Sequence, residues 1–213
     1  MQSSRPLPGN PWPRGMVLTV EEDSRVLAEL LWIREAWDLH PVGNDLPPSL
    51  SGQITQLPAS AGSPDRVATW RAAWPGIWDA SIRHAGLIRD SRMVDQLHRT
   101  PSGSREREQL FRKLFGPSWR DEFGDDALPE QYAAWEESRF EAQSQRRQRT
   151  PDEGPERLSL SALIRAWQSG LSNIVTIPCQ GSYTRIIGPH SLLVTEETRN
   201  NAQTYSAALA QFH

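Results

Sequence analysis

Apolar positions recur at helical spacing through most of this chain, then switch to a two-residue alternation near its C-terminal end. Val26, Leu30, Ile33 and Trp37, with Leu27 and Leu31 beside them, define a first amphipathic helix that stops at His40-Pro41. Thr19-Val20-Glu21-Glu22 has the form of a capping box and predicts that this helix starts at Thr19. Ser63-Pro64-Asp65 is a second helix start, with a serine cap, proline at the first helical position and an acid in the first turn. Trp70, Trp74 and Trp78 follow four residues apart, a spacing that places all three on one face and predicts a core stripe. Pro75 falls inside it and predicts a kink or a split.

Helical patterns resume over about 87–98 and 104–115, the second carrying Leu110, Phe111, Leu114 and Phe115 and ending at Gly116-Pro117. A further helix is expected from Pro129 to about Arg149, with Tyr132, Trp135 or Glu136, and Phe140 turned inward. The next helix carries Leu160, Leu163, Ile164, Trp167 and Leu171 and closes at Gly170. After it the period changes. Residues 174–177, 183–187 and 192–194 read as three short strands, and a last helix spans about 196–212.

The predicted class is therefore α+β and mainly α-helical. A helical N-terminal part precedes a C-terminal helix–three-stranded antiparallel β–helix unit. Residues 1–18 form a proline-rich arm, 19–149 the helical region, 150–157 a linker and 158–213 the small α+β unit. Within the helical region, residues 41–63 hold prolines and glycines and few large apolar groups, a long loop of the kind that is functional or disordered.

Composition changes this picture in one respect. The apolar share is only 37%, so the core must lean on large side chains, and nine tryptophans fit that need. Lys113 is the single lysine beside 22 arginines, which points to a GC-rich, bacterial coding sequence. The N-terminal residues lack the apolar run of a signal peptide and no stretch has the length of a membrane span, so the expectation is a cytoplasmic protein with no membrane partner.

The net charge of −3 does not by itself imply nucleic acid, but the charge is unevenly placed. Residues 83–120 carry nine basic groups and four acids, and residues 121–141 carry eight acids against Arg139, so the two stretches are expected to neutralise each other across a helix pair, with phosphate contact or a protein interface as the other roles open to the basic stretch. Arg146, Arg147 and Arg149 cluster at a helix C-terminus, where the macrodipole favours cations.

Candidate chemistry concentrates in the C-terminal β-element: Cys179, Tyr183, Thr184, Arg185 and His190. A Cys179–His190 pair would need about 3 Å between the groups, whereas one middle strand would hold them roughly 15 Å apart. Cys179 therefore reads as a buried structural residue. The five histidines are scattered, and neither a phosphate-binding glycine loop nor Gly-x-Ser-x-Gly occurs, so no metal and no cofactor is expected.

The leading function is a non-enzymatic interaction subunit or accessory factor of a bacterial intracellular assembly, with a protein partner. Its binding residues would come from Trp12, Arg146, Arg147, Arg149, Tyr183, Arg185 and His190. One alternative is a winged-helix-like nucleic-acid binder with Arg185 on the wing. The other is an enzyme with a site near the C-terminal β-element, built on Tyr183, Arg185 and His190.

Overall fold

The computed structural model describes residues 11–88, 91–146 and 154–213. Strand β1 (Thr19–Glu21) leads into α1 (Arg25–Ala36). After a long irregular stretch come α2 (Pro64–Ala85), α3 (Ser91–Arg99), α4 (Arg105–Phe115), α5 (Trp119–Phe123) and α6 (Glu130–Arg146). The chain continues as α7 (Pro155–Leu158), α8 (Leu160–Gln168), β2 (Asn173–Ile177), β3 (Thr184–Gly188) and β4 (Ser191–Thr195). It closes with α9 (Glu196–Asn200) and α10 (Ala202–Leu209).

The fold is mainly helical with one four-stranded sheet, as the periodicity predicts, but the sheet is mixed rather than antiparallel. Its order is β1-β2-β4-β3, with β1 and β4 parallel to β2 and only β3 antiparallel to β4. A meander fails for a local reason. Beyond Ile177 the chain does not turn back on β2. Cys179 instead bridges Leu50, Ser51 donates to the Pro178 carbonyl, and Gln180 donates to that of Ser49. Residues 178–180 are thus occupied by the long loop, and β3 is laid one strand position away, leaving a slot that β4 fills.

Successive side chains of a strand point to opposite faces, and here both faces are covered. Val175, Ile177 and Leu193 join α1, α2 and the tryptophans in one core. Ile174, Leu192 and Val194 join α8, α10 and Leu18 in another. Near-continuous burial along β2 and β4 follows, which explains why neither strand shows polar alternation.

Three local expectations are corrected. Thr19 is not a helix cap: it pairs with Asn173 as the first residue of the edge strand β1, and α1 begins six residues later, after Ser24. Pro75 does not split its helix, because α2 runs unbroken through it. Trp74 and Trp78 stack 5.4 Å apart on either side of the missing donor, both fully buried, and their burial outweighs a lost helical bond. The last helix is broken at Asn201, whose extended backbone lets its side chain cap α10 through the Gln203 and Thr204 amides.

The tryptophan stripe lies in the core, with Trp70, Trp74 and Trp78 all buried. Trp74 Nε1 donates to the Leu30 carbonyl at 2.8 Å, fixing α2 on α1. The loop over 41–63 is held by Arg34, which donates to the carbonyls of Pro47 and Pro48, both at 2.6 Å. At the other end of the chain, half-buried Trp12 packs on the second core. Replacing Trp12 with alanine is expected to lower stability by about 1–2 kcal/mol on partial loss of apolar area, read as a lower urea midpoint with unchanged slope.

Candidate functional site

Tyr183 and Arg185, on and beside β3, are brought together as their alternating spacing requires, and they meet two acids from elsewhere. The Arg185 guanidinium contacts Asp45 at 3.0 Å and Asp79 at 3.2 Å, while the Tyr183 hydroxyl donates to the Asp45 carbonyl at 3.0 Å. Burial, then the negative charge of Asp45, pushes the Tyr183 phenol up to about 12. The cluster clamps the long loop and α2 against the β3 edge of the sheet.

His190 is not part of it. It sits in the β3–β4 turn with Nδ1 2.9 Å from the Gly170 carbonyl oxygen. Cys179 lies at the opposite end of the sheet, since His190 precedes the Asn173–Ser191 pair and Cys179 follows the Ile177–Thr195 pair. The cysteine is fully buried, and burial pushes its thiol up to about 12, the reverse of what a nucleophile needs. Arg146 ends α6, while Arg147 and Arg149 lie outside the described residues. Among the described residues no group of three or more His, Cys, Asp or Glu is placed to hold a metal.

The basic and acidic stretches do not neutralise each other as expected. Among the described residues only Arg112–Asp121, at 3.8 Å, and the short Arg120–Asp125 pair join them. Two of the acids turn to other helices, Glu136 to Arg25 and Asp126 to Arg66, while Arg139, the one base of the acidic stretch, pairs with Asp23. The hairpin α3–α4 keeps Arg99, Arg105 and Lys113 without an ion-pair partner among the described residues, and α6 keeps Glu137 and Glu141 likewise.

That leaves an open cleft of about 410 Å³ between the start of α1, α4 and α5, walled by Arg25, Val26, Glu29, Phe111, Arg112, Phe115, Arg120 and Asp121. Its apolar wall is a stacked pair: the Phe111 and Phe115 rings lie 5.3 Å apart, and both are more than two-fifths exposed. Arg107 lies over the Phe111 ring at 5.4 Å. Gly116 makes this placement possible. Its positive φ of 77° ends α4, and a Cβ there would come within 2.3 Å of the His84 ring.

At the base of the cleft, Glu29 is almost fully buried and paired with Arg120 at 2.9 Å. Desolvation outweighs that partner and raises the Glu29 pKa above the ordinary carboxylate value. A carboxyl that holds its proton more tightly in the folded state costs stability as pH rises from its unfolded pKa through its folded one. The contribution of Glu29 is accordingly expected to fall over that window. Glu29→Gln should flatten the part of the thermal-stability profile that falls as pH rises above the ordinary carboxylate range, and an identical profile in the variant would refute the assignment.

A second, larger cleft of about 580 Å³ opens between the end of α1 and the start of α2 and includes Trp37, Asp38, Gln56 and Arg71. Asp38 of its lining and the nearby His40 both have positive φ, and the His40 ring lies 2.7 Å from the Asp38 carboxylate. No serine, cysteine or lysine is among its described lining residues.

Sequence reasoning missed Phe111, Phe115 and Phe140 as surface features because helical aromatics ordinarily read as core, and it missed the buried Glu29 because an acid in a helix ordinarily reads as solvated. The signal was present in the flanks. Arg105-Glu106-Arg107-Glu108 and Arg112-Lys113 surround Phe111 with charge on nearly every side, leaving only the Leu110–Leu114 edge to be buried. Phe140, expected to face inward, is 63% exposed, because Tyr132 and Trp135 already occupy the inner face of α6. No family model, no curated protein and no solved structure matches this chain.

Proposed function

We propose that this chain is a non-enzymatic protein-interaction subunit, an accessory factor of a bacterial intracellular assembly, and that it docks through α4. The observation that carries the reading is the exposed, stacked Phe111–Phe115 pair beside an open cleft and ringed by arginines. Aromatic and arginine side chains are the residues enriched in binding hot spots, and a preformed apolar wall with charged flanks is their usual setting. The candidate residues of the C-terminal β-element support the same reading by default: Tyr183 and Arg185 are engaged in holding the fold, and Cys179 is buried. The nucleic-acid alternative has less support. The helix before the strands offers only Arg165 as a base, and the sheet is covered by helices on both faces.

The test is capture from the native cell extract with the wild-type chain and with Phe111→Ser/Phe115→Ser. Both rings are exposed, so the variant should melt within a few degrees of wild type. The expected result is loss of a stoichiometric partner from the variant. An unchanged partner set would refute docking through α4.

A further inference from the structure

Two exposed faces on this chain complement each other. On α4, Phe111 and Phe115 are 41% and 43% exposed, and Arg105 and Arg112 lie along one side of them. On α6, Phe140 is 63% exposed, with Glu137 one turn before it and Glu141 beside it. Arg105, Glu137 and Glu141 have no ion-pair partner among the described residues, and Arg112 has only the 3.8 Å contact to Asp121. Arg25 lies between the two faces: it walls the α4 cleft and pairs with Glu136 of α6 at 2.9 Å.

We infer that the occupant of the α4 face is a second copy of this chain, whose Phe140 enters the Phe111–Phe115 cleft while its Glu137 and Glu141 meet Arg105 and Arg112. The inference rests on the reading of α4 as a docking surface and names its partner. Two neighbouring, mutually complementary patches on one molecule are what a two-fold contact requires, because α4 of each copy then covers α6 of the other and the assembly closes. Apolar rings supply the affinity, and the oppositely charged flanks set the register and exclude a like-on-like arrangement.

Sedimentation equilibrium of the full chain, loaded from about 2 to about 200 µM, reads this directly. The mass should rise from 24.0 kDa toward twice that value. Raising salt from about 0.05 to about 0.5 M should weaken the dimer through screening of the flanking charges. Phe140→Ser and Phe111→Ser/Phe115→Ser should each weaken it by at least about tenfold, with thermal melts confirming that both remain folded.

The charge variants provide the stricter test. Arg105→Glu/Arg112→Glu alone and Glu137→Arg/Glu141→Arg alone should each be monomeric, and an equimolar mixture of the two should dimerise, since both contacts of the mixed pair are again of opposite sign. A chain that stays monomeric throughout overturns the inference, and the α4 reading then stands or falls on the capture experiment. A dimer lost on changing Phe111 and Phe115 but indifferent to Phe140 also overturns it, while leaving α4 as a docking surface. A dimer indifferent to all three phenylalanines places the contact elsewhere and overturns it as well.

Discussion

Replacing Trp74 with alanine is expected to destabilise the chain by about 3–5 kcal/mol, the range for large aromatic-to-alanine changes in a core that cannot collapse. Three losses coincide at this position. The indole is fully buried, it stacks on Trp78 at 5.4 Å with the rings 8° from parallel, and its Nε1 donates to the Leu30 carbonyl. The guanidinium of Arg34 also sits 5.4 Å from the ring, so the anchor of the long loop is loosened with it. Against a total stability of about 5–15 kcal/mol, such a loss leaves the fold marginal. Trp74→Phe separates the contributions, since it keeps an aromatic face and removes the hydrogen bond, and should cost clearly less. Urea unfolding measures both, and a Trp74→Ala variant within about 1 kcal/mol of wild type would contradict the placement of the stripe.

Glu156→Ala is expected to cost about 3–5 kcal/mol for an electrostatic reason. Glu156 is 3% exposed and receives two bonds from Arg199, at 2.6 and 2.9 Å, and one from the Tyr205 hydroxyl at 3.2 Å. Arg199 also holds Glu22 at 2.7 Å, so one guanidinium joins the segment after β1, α7 and α9. Removing Glu156 leaves a largely buried cation with its main partner gone and a buried phenol with no acceptor. Burial of Arg199 is offset by these carboxylates, which is why its pKa is raised, and burial together with the charge of Glu156 raises that of Tyr205. Adding Arg199→Met to Glu156→Ala should recover part of the loss, because the stranded charge goes with it. A double variant as unstable as the sum of the two singles would show that the groups act independently.

The strands near the C-terminus were readable because the end of helical spacing and short apolar, β-branched runs between turn residues are local signals: the stretches at 174–177, 183–187 and 192–194 need no knowledge of their neighbours. Their arrangement was not readable. The mixed sheet depends on Cys179 bridging Leu50 and on β1 arriving from residues 19–21, contacts separated by more than a hundred positions. Thr19-Val20-Glu21-Glu22 shows the ambiguity at its sharpest, since the same four residues satisfy a helix cap and an edge strand, and only β2 decides between them. Tyr183 and Arg185 could be found by alternation, but their partners Asp45 and Asp79 could not. Phe111, Phe115 and Phe140 carry the opposite lesson. Their periodicity was plain, and it pointed inward, because helical spacing reports a shared face without saying whether another face covers it.

The central claim is that the aromatic face of α4 is where this protein meets its partner. Site-specific photocrosslinking in living cells tests it most directly, with a benzoylphenylalanine placed at Phe115 and, as a control, at Leu158, an even more exposed apolar position on α7. The account predicts a discrete, light-dependent adduct from position 115 that is absent from position 158, and a mass of twice the chain if the partner is a second copy. Equal labelling at both positions, or none at 115 in a chain that remains folded and abundant, would contradict it.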